Sequence, residues 1–175
     1  KNNRYVNSIK GNNNSTGEYI ESDFTYVSDS TINIEYIKGK LNDVPFHSEG
    51  IILSQNEGMI TSSPLIIHLG LGALYSQIKF LNSENYLLNL RASQIDLIEL
   101  KKIFQFQDRI NGEMNGEFSL AYKNGQPTLL TNMNFRDGNF DDIIFQNFDI
   151  QASFRENRLT LSKVDINTDI GQLKF

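Results

Sequence analysis

Few residues of this chain could do chemistry, and their spacing argues that none of them does. His47 and His68 are the two histidines. A working imidazole needs a neighbour that fixes its tautomer or shares its metal, and both histidines fall in alternating, strand-like sequence. The acidic run "DGNFDD" (Asp137–Asp142) has the flavour of a calcium loop. It lacks the ligand spacing and bidentate glutamate of an EF-hand, so a hairpin turn with surface carboxylates is the expectation. Cysteine is absent, which removes disulfides, thiolate metal sites and a thiol nucleophile. There is no glycine-rich phosphate loop, no nucleophile elbow and no carboxylate pair framed by apolar residues. "NNS" and "NST", starting at Asn13 and Asn14, match the glycosylation pattern, as short Asn-rich turns often do. No catalytic residue, metal or cofactor is expected, and the chain is not read as an enzyme.

Charge narrows the partners. Lys and Arg number 16 against 21 Asp and Glu, a net charge of −5. The basic residues are scattered, whereas a nucleic-acid groove needs a basic stripe to neutralise phosphates, so nucleic acid is not an expected partner. The most apolar run, "LIIHLGLGALY" (Leu65–Tyr75), is too short to cross a bilayer as a helix and contains His68. A membrane anchor would therefore lie outside these residues. The closing "DIGQLKF" stops within an alternating pattern, and the chain is expected to be a piece of a longer protein.

An internal repeat organises the rest. A shift of 99 residues lays Asn33–Leu74 on Asn132–Leu173 without a gap, and 12 of these 42 positions are identical, among them Gly39/Gly138, Phe46/Phe145 and Gly72/Gly171. Roughly three identities would arise by chance at average residue usage. Upstream, "TGEY" (Thr16–Tyr19) aligns with "NGEF" (Asn115–Phe118). The two histidines pair with Gln146 and Asn167, polar residues that suit a solvent-side position and not a conserved site chemistry. Two units follow: 1–107, ending in an amphipathic helix at about 93–106, and 108–175, a shortened second copy. Units of this kind stack, because each leaves apolar faces that a neighbour must cover.

Period-two alternation makes the units β-sheet. In "INGEMNGEFSLAYK" (Ile110–Lys123) one set of residues is Ile110, Gly112, Met114, Gly116, Phe118, Leu120 and Tyr122, and the other is almost wholly polar. Further strands are read at Tyr19–Val27, Thr31–Ile37, Phe46–Leu53, Leu129–Arg136, Asn139–Phe145 and Phe148–Phe154, with turns at "KNGQP", "RDG" and "RENR". "SQIDLIELKKIFQF" places Leu97, Leu100, Ile103 and Phe104 at helical spacing, with Ser93 as its start. The fold class expected is all-β: an elongated, curved, mainly antiparallel sheet of tandem repeats with an open apolar groove and one short helix. Gly112 and Gly116 are read as groove glycines that let the sheet bend and leave a furrow beside Met114 and Phe118.

The pattern "INGEMNGEF…NGQPTLLTNMNFRDGNF…FDIQASFRENRLTLSKVDINTDIGQLKF" resembles the AsmA/TamB group of bacterial envelope proteins. That group carries an apolar-x-Gly-x-apolar-x-Gly strand, a "G-x-P" turn, then "L-x-L" and a closing "I-G-x-L". The resemblance implies a taco-shaped sheet in the periplasm, anchored in the inner membrane elsewhere, whose apolar groove moves phospholipid or another acyl-chain lipid between membranes. It also implies an outer-membrane assembly partner. Alternation then assigns the groove lining to Ile34, Tyr36, Val44, Phe46 and Ile51 in the first copy. In the second it assigns Ile110, Met114, Phe118, Leu120, Met133, Phe135, Ile143, Phe145, Ile150 and Phe154. The alternatives are a β-sheet module that assists outer-membrane protein assembly and a surface β-sandwich or solenoid that binds through its loops.

Overall fold

The computed structural model of the chain describes residues 6–13, 16–105 and 110–174. They form fourteen strands and one helix: β1 (Val6–Asn13), β2 (Glu18–Ser28), β3 (Thr31–Leu41), β4 (Val44–Ser48), β5 (Ile51–Asn56), β6 (Met59–Ser62), β7 (Leu65–Leu69), β8 (Gly72–Asn82), β9 (Asn85–Asp96), α1 (Leu97–Phe104), β10 (Ile110–Lys123), β11 (Gln126–Phe140), β12 (Ile143–Arg155), β13 (Arg158–Thr168) and β14 (Gly171–Lys174). The strands make one long, curved antiparallel sheet in the order β1-β2-β3-β4-β7-β8-β9-β10-β11-β12-β13-β14, with β5 and β6 bridging β3 to β8. This is the all-β class that the alternation predicts. Two-residue hairpin turns need positive φ to match the strand twist. They have it at Asn42–Asp43, Glu57–Gly58, Asn124–Gly125 and Glu156–Asn157.

The 99-residue repeat is a repeat of register. Gly39 faces Phe46, Ile34 faces Ile51 and Ile67 faces Leu74. Gly138 likewise faces Phe145, Met133 faces Ile150 and Ile166 faces Leu173. In the first copy the long strands are broken at Glu49–Gly50 and at Ser63–Pro64, where Pro64 offers no N–H to a ladder. The second copy has Asp149 and Lys163 at the places of Gly50 and Pro64, and β12 and β13 run through. Upstream of Asn33 the structural match departs from the sequence match. Tyr19 faces Lys40 as Asn111 faces Asn139, so the offset there is 92 and "TGEY" does not occupy the place of "NGEF".

Two other expectations are corrected. "RDG" (Arg136–Gly138) is not a turn: β11 continues through it with Asp137 in the left-handed region, and the chain reverses at Asp141–Asp142. The helix is shorter than 93–106 and starts later. Ser93 belongs to β9, and Asp96 is the N-cap, its carboxylate accepting from the Ile98 amide at 2.7 Å. Ile95 explains the late start, because the strand must carry this fully buried side chain to the core before the chain can turn. The boundary between the two units, 107/108, and the second residue of each glycosylation match fall outside the described residues.

Helix α1 lies on the sheet and builds the core. Val44, Leu69, Ala92 and Ile95 are buried together, with Phe46, Ile67, Leu74, Leu100, Ile103 and Met114 against them. Glu99 is the misfit. One of its carboxylate oxygens is buried without a hydrogen-bond partner, and the carboxyl lies against the Gly70 turn. Burial, with Asp96 nearby, pushes its pKa above the usual glutamate range. An acid whose folded pKa is raised loses stability as pH rises through the range above its unfolded value. Glu99→Gln is therefore expected to raise the melting temperature at pH 7 and to make no difference at pH 4. Thermal scans at the two pH values test this, and an equal effect at both would discard the burial cause.

Candidate functional site

Ladder partners share a face, so the register sorts every side chain. One face carries Phe24, Ile34, Ile51, Leu53, Leu65, Ile67, Leu74, Ile78, Leu88, Leu90, Met114, Phe118, Leu120, Leu129, Met133, Phe135, Phe148, Ile150, Phe154, Leu159 and Ile166. Through β8 to β12, the rows Ile78–Leu88–Leu120–Leu129–Phe154 and Ser76–Leu90–Phe118–Thr131–Ala152 each cross five strands. Tyr86 and Tyr122 stack at 5.3 Å near one margin, and Phe135 and Phe148 lie 5.5 Å apart.

This face is largely uncovered. A compact monomer of 20 kDa exposes roughly 8,700 Å², whereas this chain exposes 11,946 Å². Leu88, Leu90, Phe118, Leu120, Leu129, Met133, Ile150 and Phe154 are only half-buried, where the interior of a sandwich would enclose them. Among the described residues α1 covers part of the face, where β4, β9 and the start of β10 lie. Val44 beneath it is 3% exposed, while Ile143, its counterpart in the second copy, is 53% exposed.

The expected lining residues therefore divide. Ile34, Phe46, Ile110, Met114, Phe118, Leu120, Met133, Phe135, Ile150 and Phe154 are half-buried, and those with ladder partners in the rows above lie on the apolar face; Ile143 opens at its margin. Val44, Ile51 and Phe145 are buried and closed to any ligand. Tyr36 is on the opposite face, beside Asp23, with the Lys38 amine 5.2 Å from its ring centroid. A bulge at Glu35 turns it over: Asp23 faces Tyr36 but Phe24 faces Ile34. The alternating run "YLLNLRA" (Tyr86–Ala92), outside the matched copies, supplies the strand next to Phe118. Its period of two was the signal for it.

The two glycines do not form a furrow. Gly112 and Gly116 have φ of 118° and 152°. A Cβ on Gly116 would come within 2.7 Å of the Met133 sulfur and 2.9 Å of the Met133 Cα, so the space beside it is filled. Gly116 sits where β10 shifts register on β9, from Ala92 to Ile95. Asn115 pins the shift by accepting from the Gln94 amide at 2.8 Å. Gly116 thus lets β10 pass Ile95 into the core, while Gly112 sits at a separate register shift of β10 on β11, close to the Gly138 backbone.

The reverse face is polar. Glu21 pairs with Lys38 and Lys10, Lys163 with Asp149, and Lys174 with Asp165. Burial raises the Asp149 carboxyl, but hydrogen bonds from Asn134, Asn147 and Lys163 outweigh it and hold the group below the usual range. His47 and His68 stack here at 4.7 Å, and their counterparts Gln146 and Asn167 hydrogen-bond at 3.2 Å. A cross-strand polar pair is what the repeat retains. A cavity of about 820 Å³ is lined by Tyr75, Gln77, Asn89, Arg91, Ser119, Asn132, Gln151 and Ser153 of this face together with Leu90, Phe118, Thr131 and Ala152 of the apolar row. Among the described residues no group of three or more His, Cys, Asp or Glu could hold a metal ion, and no helix is long and apolar enough to cross a membrane.

The fold and the site thus define an open, single-sheet β repeat protein with one apolar and one polar face. No protein-family model matches the chain, and neither does any curated protein or solved structure.

Proposed function

We propose that the apolar face carries acyl chains and that the protein is a segment of a conduit passing phospholipid between the membranes of a bacterial envelope. On this reading it works in the periplasm, held by a membrane anchor outside these residues. The observation that supports it is the unroofed apolar surface running across the sheet through Leu90 and Phe118. The five strands β8 to β12 that the open rows cross, at about 4.8 Å each, make a track of roughly 20 Å. Each methylene withdrawn from water contributes about 0.8 kcal/mol, so a 16-carbon tail gains on the order of 10 kcal/mol if fully covered. Contacts of this kind have no preferred position along the track, so a chain can slide while its headgroup stays in solvent.

The test is photo-crosslinking of the purified protein to phosphatidylcholine vesicles, with a photo-reactive side chain at Phe118, Glu117 or Val44 in turn. Adducts are expected at 118 and absent at 117, on the polar face, and at 44, under α1. Equal labelling at 117 and 118, or none at 118, would remove the conduit reading.

A further inference from the structure

The cavity of about 820 Å³ meets each strand of its floor in three consecutive residues: 75–77 on β8, 89–91 on β9, 117–119 on β10, 130–132 on β11 and 151–153 on β12. The outer two of each trio belong to the polar face and the middle one to the apolar row. The next apolar rows, through Leu120 and through Met133, take no part. Side chains alternate across a strand, so a hollow that takes two polar-face residues from every strand and one apolar row between them lies over the polar side. Pro64, before β7, and Ser162, on β13, complete the lining. Every floor strand is paired on both sides, so the hollow presents side chains and no strand edge.

Elsewhere the polar face is tied by ion pairs, such as Glu21 with Lys38 and Lys163 with Asp149. In the hollow, Arg91 and Glu117 are ladder partners of opposite charge, an arrangement that ordinarily stabilises a sheet. They make no ion pair among the described residues. Arg91 leans over the Tyr75 ring instead, 5.8 Å from its centroid. Asn132 and Gln151 follow Glu117 along the same row. The Glu117 carboxylate and these two side-chain amides have no hydrogen-bond partner among the described residues.

We propose that this hollow binds a neutral oligosaccharide. A sugar hydroxyl donates and accepts at once, and adjacent hydroxyls match an amide that offers both a carbonyl oxygen and an NH2 group. The row Arg91–Glu117–Asn132–Gln151 supplies a donor, an acceptor and two groups that are both, on four successive strands. The ring of Tyr75, at the head of the row, gives the C–H face of a pyranose an apolar surface to rest on. One arginine and one glutamate cancel in charge, so phosphorylated and polycationic ligands gain nothing here. An extended peptide would be read through main-chain hydrogen bonds at a strand edge, and the floor has none. The volume lies within the range of about 300–1,000 Å³ usual for small-ligand pockets. The inference does not depend on the lipid reading, which concerns the opposite face.

The probes are maltotriose, cellotriose and chitotriose, with trigalacturonate as the acidic comparison, added to the purified protein. Saturation-transfer NMR detects contact and calorimetry measures affinity. At least one neutral trisaccharide is expected to bind, and more tightly than the acidic one, which Glu117 repels. Asn132→Ala and Gln151→Ala should each weaken it about three- to tenfold, the worth of one hydrogen bond. Asn132 is exposed, so its variant carries the test should Gln151→Ala fail to fold. Gln146→Ala, on the same face outside the hollow, should leave binding unchanged, as should phosphatidylcholine vesicles. No transfer to any of the three neutral sugars, or transfer undiminished in the amide variants, would overturn the proposal. So would tighter binding of trigalacturonate, or displacement of the sugar by the vesicles.

Discussion

Replacing Phe145 by alanine is expected to cost about 3–5 kcal/mol, the usual range for a buried phenyl ring. Phe145 is 5% exposed in a molecule with few buried side chains, and its ring lies over Gly138 on the facing strand. A Cβ on Gly138 would approach the ring tip to 2.6 Å, so the ring occupies the place where that residue's side chain would stand. The pair recurs in the first copy, where the ring of Phe46 stands 2.7 Å from the corresponding point on Gly39. A glycine covered by a cross-strand aromatic restores the packing that the glycine forfeits. Urea titration should show the Phe145→Ala midpoint falling far more than that of Phe118→Ala, whose half-buried ring rests on the open face and should cost about 1 kcal/mol. Adding Gly138→Ala should not rescue the loss, because the new methyl would also meet the Asn111 carbonyl. Rescue by that double substitution would show that the ring merely fills space.

How much of this was legible in the sequence follows from which signals are local. Strand β10 runs from Ile110 to Lys123, as its alternation says, because period two holds unbroken through the glycines. The repeat was legible from Asn33 onward because register, turn and core positions all recur at one spacing. Facing failed at Tyr36. Its repeat partner Phe135 lies on the apolar face opposite Met114, while the Glu35 bulge sends Tyr36 to the charged face. A one-residue bulge leaves no mark in composition and inverts everything beyond it until the next. The burial of Val44 against the exposure of Ile143 was equally out of reach. It depends on where α1 comes to rest, which the β10 register shift decides and the helix's own apolar spacing does not. The cavity across β8 to β13 has no sequence signature, since its lining draws residues as different as Asn89, Leu90, Phe118 and Gln151 from neighbouring strands.

Gly116→Val should be the most damaging change to the open half of the sheet that removes no side chain, at about 3 kcal/mol. Two costs combine. A β-branched residue at φ 152° is strained in itself, by roughly 1–3 kcal/mol. Its Cβ would also press on the Met133 Cα at 2.9 Å, which is backbone and cannot rotate away. Gly125→Val isolates the first cost, because Gly125 has φ 79° with nothing within 4 Å of the added carbon. The difference between the two variants in urea unfolding then measures how tightly β11 crosses β10. Hydrogen exchange should localise the damage, with faster exchange at the β9–β10 shift, where the Gln94 amide is held by Asn115. If Gly116 were instead a furrow left free for a ligand, valine would fit with no more than the Gly125 penalty and would weaken only lipid crosslinking at Phe118. A large stability loss, with exchange rising at Gln94 and Ile95, is the result expected of a glycine whose task is to carry the chain into its core.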